Sequence, residues 1–376
     1  MRTTAAVLRS PRSPLTHEEL TIGQPRENEV VVRMSCAGIC HTDLGVIASA
    51  SAEQTPIVLG HEGAGVVEHV GSHVTTLAVG DHVVLSYNSC GACDNCLSQL
   101  PMHCRSFVEL NFTGTRRDGS TPLTGNDGPV RGAFFGQSSW ATRAVASERS
   151  CVRVDKDLPL QVLGPLGCGI QTGAGAVLNT LQPRPGSSIA IFGAGSVGLS
   201  ALLAAVVAQC SPIIAVDISD ASLARAKQLG ATHTINSSHG GVAARIRALT
   251  GGVGACYTVD CIGYPDVVRT AVESLQAPGV CATLGYQGAP NDITLDQGQL
   301  LFGRSLVGVI EGDAVAAEFI PELLALYRAG RFPFDHLVQT FAFADINDAI
   351  GAVHRGEVSK AVVVFEPVRH SNCTHA

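Results

Sequence analysis

The segment IAIFGAGSVG, residues 189–198, limits the possible fold more than any other stretch of the chain. An apolar run leads into Gly193, Gly195 and Gly198, and an Ala- and Leu-rich stretch, SVGLSALLAAVVAQC, follows. Three glycines at this spacing are a weak signal by themselves, since any glycine turn can match. The surroundings strengthen it: Asp217 ends the next apolar run nineteen residues past Gly198, giving a βαβ unit of the length a dinucleotide-binding turn needs. The first glycine permits the tight turn, the second lets the backbone approach a pyrophosphate, and the helix start offers unpaired N–H groups to negative charge. Asp217 suits ribose hydroxyls and repels a 2′-phosphate, which favours NAD over NADP.

A chain of 376 residues is too long for one core, so two domains are expected. Before about residue 168 the sequence has short Val- and Gly-rich runs such as ENEVVVRMS, GAGVVEHVGSHV and VGDHVVLSY, a β-rich, barrel-like texture. From about 170 strand and helix patterns alternate, as a parallel sheet covered on both faces requires. After about 312 come two amphipathic helices, AEFIPELLALYRAG and DINDAIGAVHRG, a last apolar strand KAVVVF, and a polar tail. The net charge is −7 with no basic run, so nucleic acid and anionic membrane surfaces are not expected partners. With neither a signal peptide nor a long apolar span, the expected location is the cytoplasm, where thirteen cysteines stay reduced. The Asn-X-Thr sequons at Asn111 and Asn372 are then accidental.

Four of those cysteines lie in CGACDNCLSQLPMHC, residues 90–104. Cys90, Cys93, Cys96 and Cys104 can surround one tetrahedral zinc ion with no position left open, which clamps a loop and leaves no place for substrate. An iron–sulfur cluster can also use four cysteines, but the usual ferredoxin spacings differ from this one, which favours zinc. Chemistry needs an open ion, and ligand types for one occur in GICHTDLG, LGHEGAG and GPLGCGI: Cys40, His61, Glu62 and Cys168. Spacing alone does not join them, because a lone Cys or His is more often a core filler or a surface residue. Cys36, Cys151, Cys210, Cys256, Cys261 and Cys281 are expected to be such fillers, and His69, His73 and His82 to face solvent. A metal site in the tail at His370, Cys373 and His375 is disfavoured.

GICHTD, GHEGAGVVEHVG, VGDHVV, the four-cysteine lobe, GCGIQTGAGA, FGAGSVG and AVDIS, in this order, resemble the zinc-dependent medium-chain alcohol dehydrogenase family, over nearly the whole chain. VVLSYNSCGACDNC and FIPELLALYRAGRFPFDHLVQTFAFADINDAI look closest to the aryl-alcohol (benzyl alcohol) branch. The resemblance implies an α/β chain: a groES-like β-rich catalytic domain over 1–169, a Rossmann doubly wound NAD-binding domain over 170–311, and a return to the catalytic domain over 312–376. It implies two zinc ions, a structural one on Cys90, Cys93, Cys96 and Cys104 and a catalytic one on Cys40, His61 and Cys168, with Glu62 close enough to bind when the water position is empty.

In the same way Asp43 matches the carboxylate that orients His61, and Thr42 the hydroxyl linking substrate oxygen to the nicotinamide ribose. His41 and Lys360 match positions facing the pyrophosphate. Ser86, Tyr87, Phe135 and Trp140 are candidates for the substrate wall, with Phe135 and Trp140 equally readable as core. The implied reaction is reversible oxidation of a primary, benzylic or allylic alcohol to the aldehyde with hydride transfer to NAD, in a homodimer or homotetramer. Terpenoid, polyol and glutathione-adduct substrates, and a non-catalytic zinc- and nucleotide-binding relative, are the alternatives. One position departs from the family: many members have a proton-relay histidine five residues after the first zinc cysteine, and this chain has Gly45.

Overall fold

A computed structural model describes residues 1–365, so the expectations for His370, Asn372, Cys373 and His375 lie outside the described residues. The chain divides into two compact units, one of residues 1–88, 108–165 and 338 onward, the other of 89–107 and 166–337. The second unit thus includes both the cysteine lobe and the helix Ala316–Arg328, segments that the sequence reading placed on the other side of its boundaries.

In the first unit the β-branched run of Glu29–Gly38 forms the central strand of a seven-stranded sheet. It pairs antiparallel with Gly63–Val70, Arg143–Ser147 and Lys360–Val364, so the last described strand completes a sheet begun more than 300 residues earlier. Val30, Val32, Met34, Val67, Val83, Leu85, Ala144 and Ala146 fill one core against that sheet. A second sheet of five strands includes the antiparallel pair Arg2–Leu8 and Thr16–Ile22.

The second unit contains a six-stranded parallel sheet, in the spatial order His233–Asn236, Ile213–Asp217, Ile189–Phe192, Ala255–Asp260, Leu275–Thr283, Arg304–Gly308. This is the 3-2-1-4-5-6 order of a doubly wound fold, and its direction reverses between Ile189–Phe192 and Ala255–Asp260. Strand Ile189–Phe192 is buried along its whole length, as expected where both faces of a parallel sheet are covered. The helix Ser196–Val207 is apolar nearly all round and is buried from Gly198 to Ala205. None of the described helices is long and apolar enough to cross a membrane.

Candidate metal centres and nucleotide turn

The nucleotide turn has its glycines for three different reasons. Gly193 adopts φ +92°, which a side chain would strain. A Cβ on Gly198 would lie 1.7 Å from the Gly193 carbonyl oxygen, so this position sets the close packing of helix on turn. A Cβ on Gly195 would meet nothing within 4 Å: the space is left open at the N-cap of the Ser196–Val207 helix, a cradle suited to a pyrophosphate. Asp217 accepts the backbone N–H groups of Ala194 at 2.6 Å and Ser219 at 2.8 Å, which holds the acid beside the turn.

The cysteine lobe fits a closed tetrahedral ion. The four sulfurs lie within 4.8 Å of one another, with Cys93 to Cys96 at 3.6 Å and Cys90 to Cys96 at 3.9 Å. Metal–sulfur bonds of about 2.3 Å in a tetrahedron space the sulfurs about 3.8 Å apart. Backbone N–H groups point at them: Ala92 and Cys93 donate to Cys90, and Cys90 donates to Cys104. Such donors favour the thiolate that a metal needs. The Arg105 and Cys96 amides draw the Cys93 thiol down to about 6, while burial and crowding by its neighbours push Cys96 up to about 12.

The second set starts at Cys40, the N-cap of helix His41–Ser49. Asp43, fully buried in the first turn, accepts the Cys40 amide at 3.1 Å, the Gly60 amide at 3.0 Å and the His61 Nδ1 proton at 2.9 Å. One carboxylate therefore caps the helix, fixes the turn before His61 and orients its ring. Nδ1 being engaged, Nε2 is the atom left to bind; it is buried, and the Cys40 sulfur is near enough to interact with the ring. The ligand atoms of Cys40, His61 and Glu62 lie within 4.8 Å of one another. Burial disfavours a charged His61 ring, yet Asp43 and Cys40 outweigh it and hold the ring's pKa well above its usual value. The negative surroundings that retain a proton there also suit a divalent cation, which would displace it.

Glu62 is fully buried and Gly38 makes room for it, since a Cβ there would lie 1.9 Å from Glu62 Oε2. Burial raises the Glu62 pKa, opposed chiefly by the Lys360 ammonium. Lys360, which the resemblance matches to a position facing the pyrophosphate, is the counter-charge of Glu62 here. It is 2% exposed, with Nζ 2.9 Å from both Glu62 oxygens and 3.2 Å from the Ile39 carbonyl. A buried ammonium must find a counter-charge, and the carboxylate of Glu62 supplies it.

Phe135, held at φ +50°, stacks on the His61 ring at 4.5 Å between centroids and an interplanar angle of 29°. Phe134 meets the same ring edge-on at 5.7 Å, and Phe112 touches both phenylalanines. Phe112 and Phe134 were missed as site residues; one lies in a helix and the other in a turn, and no periodicity links them. Gln137, also missed, is fully buried and donates to the His61 and Ser86 carbonyls while accepting the Gly63 amide. Trp140 is a core residue: it is fully buried, packs over Gly60 and donates its indole N–H to the Gly38 carbonyl at 3.2 Å. Ser86 is fully buried and Tyr87 is 6% exposed. Thr42 Oγ1 lies 3.8 Å from the Cys40 sulfur, and His41 and Gly45 are exposed on the same helix. Cys168 is buried in the second unit at the start of helix Gly169–Gly175.

Residues 26–156 match the family model described as alcohol dehydrogenase GroES-like domain, and residues 196–328 the model described as zinc-binding dehydrogenase. The chain belongs to the zinc-dependent medium-chain alcohol dehydrogenase family. A geraniol dehydrogenase from Castellaniella defragrans is 46% identical over 96% of this dehydrogenase and 97% of its own length. The crystal structure of an alcohol dehydrogenase zinc-binding domain protein from Burkholderia ambifaria superposes with a TM-score of 0.94 at 45% identity, covering 98% of this chain and all of that one. A benzyl alcohol dehydrogenase from Acinetobacter calcoaceticus superposes with a TM-score of 0.92 at 42% identity, over 97% of this chain and all of that one. The dehydrogenase is therefore an enzyme of groES-like plus Rossmann architecture, with an expected small-molecule alcohol substrate.

Proposed function

We propose that this dehydrogenase oxidises a primary allylic or benzylic alcohol to the aldehyde with NAD as hydride acceptor, reversibly, on two zinc ions per chain. The observation that supports the substrate class is the aromatic cluster beside His61: Phe134 and Phe135 are buried against its ring, and Phe112, 37% exposed, packs on both of them and offers the accessible face. Flat, polarisable substrates gain most from such a wall, and polyols would leave their hydroxyls unpaired against it. The named relatives that act on geraniol and on benzyl alcohol agree with this choice.

In this reading Cys40, His61 and Cys168 are the protein ligands of the catalytic ion, with Glu62 beside them, and the four lobe cysteines hold the structural one. Bound zinc supplies Lewis-acid polarisation of the alcohol oxygen, and NAD supplies the hydride acceptor. The chain does the rest. Asp43 fixes the His61 tautomer, so that a neutral nitrogen faces the ion. Phe135 covers the ring face and keeps water from it. Thr42 takes the hydroxyl proton toward the ribose, and without an imidazole at Gly45 the proton leaves through water or through exposed His41. Gly193, Gly195 and Gly198 seat the pyrophosphate, with Asp217 on the adenosine ribose. We further assign the enzyme to the cytoplasm as a homodimer or homotetramer.

The test is NADH absorbance over benzylic, allylic, aliphatic and polyol alcohols, with zinc measured on the same sample. The expected result is two zinc atoms per chain and kcat/KM at least ten-fold higher for cinnamyl alcohol, geraniol or benzyl alcohol than for ethanol or sorbitol. A preference for ethanol or sorbitol would overturn the substrate class, and one zinc per chain would overturn the open site.

A further inference from the structure

Within the second unit, residues 311–313 form a turn that no local sequence motif marks. Glu311, Gly312 and Asp313 take φ of +51°, +70° and +46° in succession, two of them non-glycine residues in the left-handed region. Conformations of this sort persist only where their surroundings over-determine them. The surroundings here are the helical segment 169–181. Asn179 donates to the Gly312 carbonyl at 3.0 Å, and the Thr180 hydroxyl donates to Asp313 at 2.7 Å. A Cβ on Gly312 would lie 2.2 Å from the Gln171 carbonyl oxygen, and one on Gly175 would lie 2.1 Å from the Gly312 oxygen. His103, next to the lobe cysteine Cys104, places Nε2 3.3 Å from the other Asp313 oxygen.

What this clamped turn delivers is the Glu311 carboxylate. Glu311 is 7% exposed, and its Oε2 accepts the side-chain amide of fully buried Gln171 at 3.0 Å. The same Gln171 nitrogen donates to the Gly167 carbonyl at 2.9 Å, immediately before Cys168. Oε1 of Glu311 lies 3.9 Å from the Cys168 sulfur. Glu311 thus reaches Cys168 on two sides, directly at the sulfur and through Gln171 at the backbone that aims it. That backbone is unusual for an N-cap, with φ −146° and ψ −86°, and it has no side-chain cap of its own.

We infer that Glu311 is a positioning residue for Cys168: the left-handed turn 311–313 holds its carboxylate against Gln171, and this pair sets the direction from which the Cys168 sulfur meets a metal ion. The inference rests on the proposed role of Cys168 as a ligand. Outer partners of metal ligands contribute about ten- to hundred-fold to metal affinity. Gln at position 311 keeps an oxygen that can accept from Gln171, whereas Ala removes it.

The experiment compares the zinc-loaded wild type with Glu311→Ala, Glu311→Gln and Cys168→Ser. Zinc per chain is measured by mass spectrometry, and the rate of zinc loss to excess dipicolinate is followed with thermal unfolding as a control. Glu311→Ala should release one of its two zinc ions at least ten-fold faster than wild type, with the other ion unaffected, and Glu311→Gln should stay within about three-fold of wild type. Zinc release from Glu311→Ala at the wild-type rate would overturn the inference. So would equal acceleration in both variants, because that would assign the effect to charge and not to position. Cys168→Ser tests the underlying reading separately: if it retains two zinc ions with wild-type release rates, Cys168 is not a ligand, whatever the Glu311 variants do.

Discussion

Trp140 offers the sharpest test of whether a residue near the proposed site shapes specificity or only holds the fold. The perturbation is Trp140→Phe. The indole is fully buried, and its N–H reaches the Gly38 carbonyl at 3.2 Å, at the end of the strand whose last glycine leaves room for Glu62. An indole exceeds a phenyl ring by about 40 Å² of apolar surface, which at about 25 cal/mol per Å² gives about 1 kcal/mol. Loss of the hydrogen bond, with a buried carbonyl left short of a donor, adds about 1 kcal/mol more. The expected destabilisation is about 2 kcal/mol, close to a thirty-fold change in the folding equilibrium constant. Since Trp140 is the sole tryptophan, unfolding in urea has to be followed by far-UV circular dichroism. Alongside it, kcat/KM is measured for benzyl alcohol and for butanol. The predicted outcome is lower stability with a substrate ratio within two-fold of wild type. Unchanged stability together with a ten-fold change in that ratio would refute the core assignment and return Trp140 to the substrate wall.

Other perturbations separate the remaining roles. Cys93→Ser is expected to lose one zinc and to lower the melting temperature, because metal binding at the lobe contributes to folding, while Cys40→Ser should abolish turnover and leave the melting temperature within about 3 °C; equal unfolding in both would contradict the division between the two centres. Gly195→Ala should fold normally, since nothing lies within 4 Å of the new methyl, yet raise KM for NAD at least ten-fold, whereas Gly198→Ala should also destabilise by forcing the methyl onto the Gly193 carbonyl; calorimetry of NAD binding and thermal scans distinguish them. Glu148 accepts the Thr75 and Thr76 amides and the Thr76 hydroxyl, and these outweigh partial burial and lower its pKa. A lowered carboxylate pKa stabilises the fold above the unfolded value, near pH 4.3, and the benefit fades as pH falls through the folded value, so Glu148→Gln should be less stable than wild type at pH 7 by about 1 kcal/mol, a gap that narrows as pH falls below the unfolded value. A melting-temperature gap that does not narrow between pH 7 and pH 3 would count against this account. Added imidazole should raise kcat below pH 7 if proton exit past Gly45 limits the rate, and an unchanged kcat would locate the limiting step elsewhere.

What depends on neighbours along the chain could be read directly from residue order. The βαβ unit with Gly193, Gly195, Gly198 and Asp217 was legible because turn, helix start and strand end follow one another within thirty residues. The four-cysteine lobe was legible for the same reason: its cysteines span fifteen positions, and backbone amides of the same loop serve the sulfurs. Tertiary structure alone decided the partners of buried charge and the faces of aromatic rings. Lys360 meets Glu62 across 298 positions, Gln171 meets Glu311 across 140, and Trp140 reaches Gly38 across 102. Nothing in local periodicity encodes such pairs. They arise because a buried ammonium, carboxylate or indole N–H must find its complement wherever the folded chain brings one within reach, and that distance is set by sheet order and packing, not by spacing in the sequence.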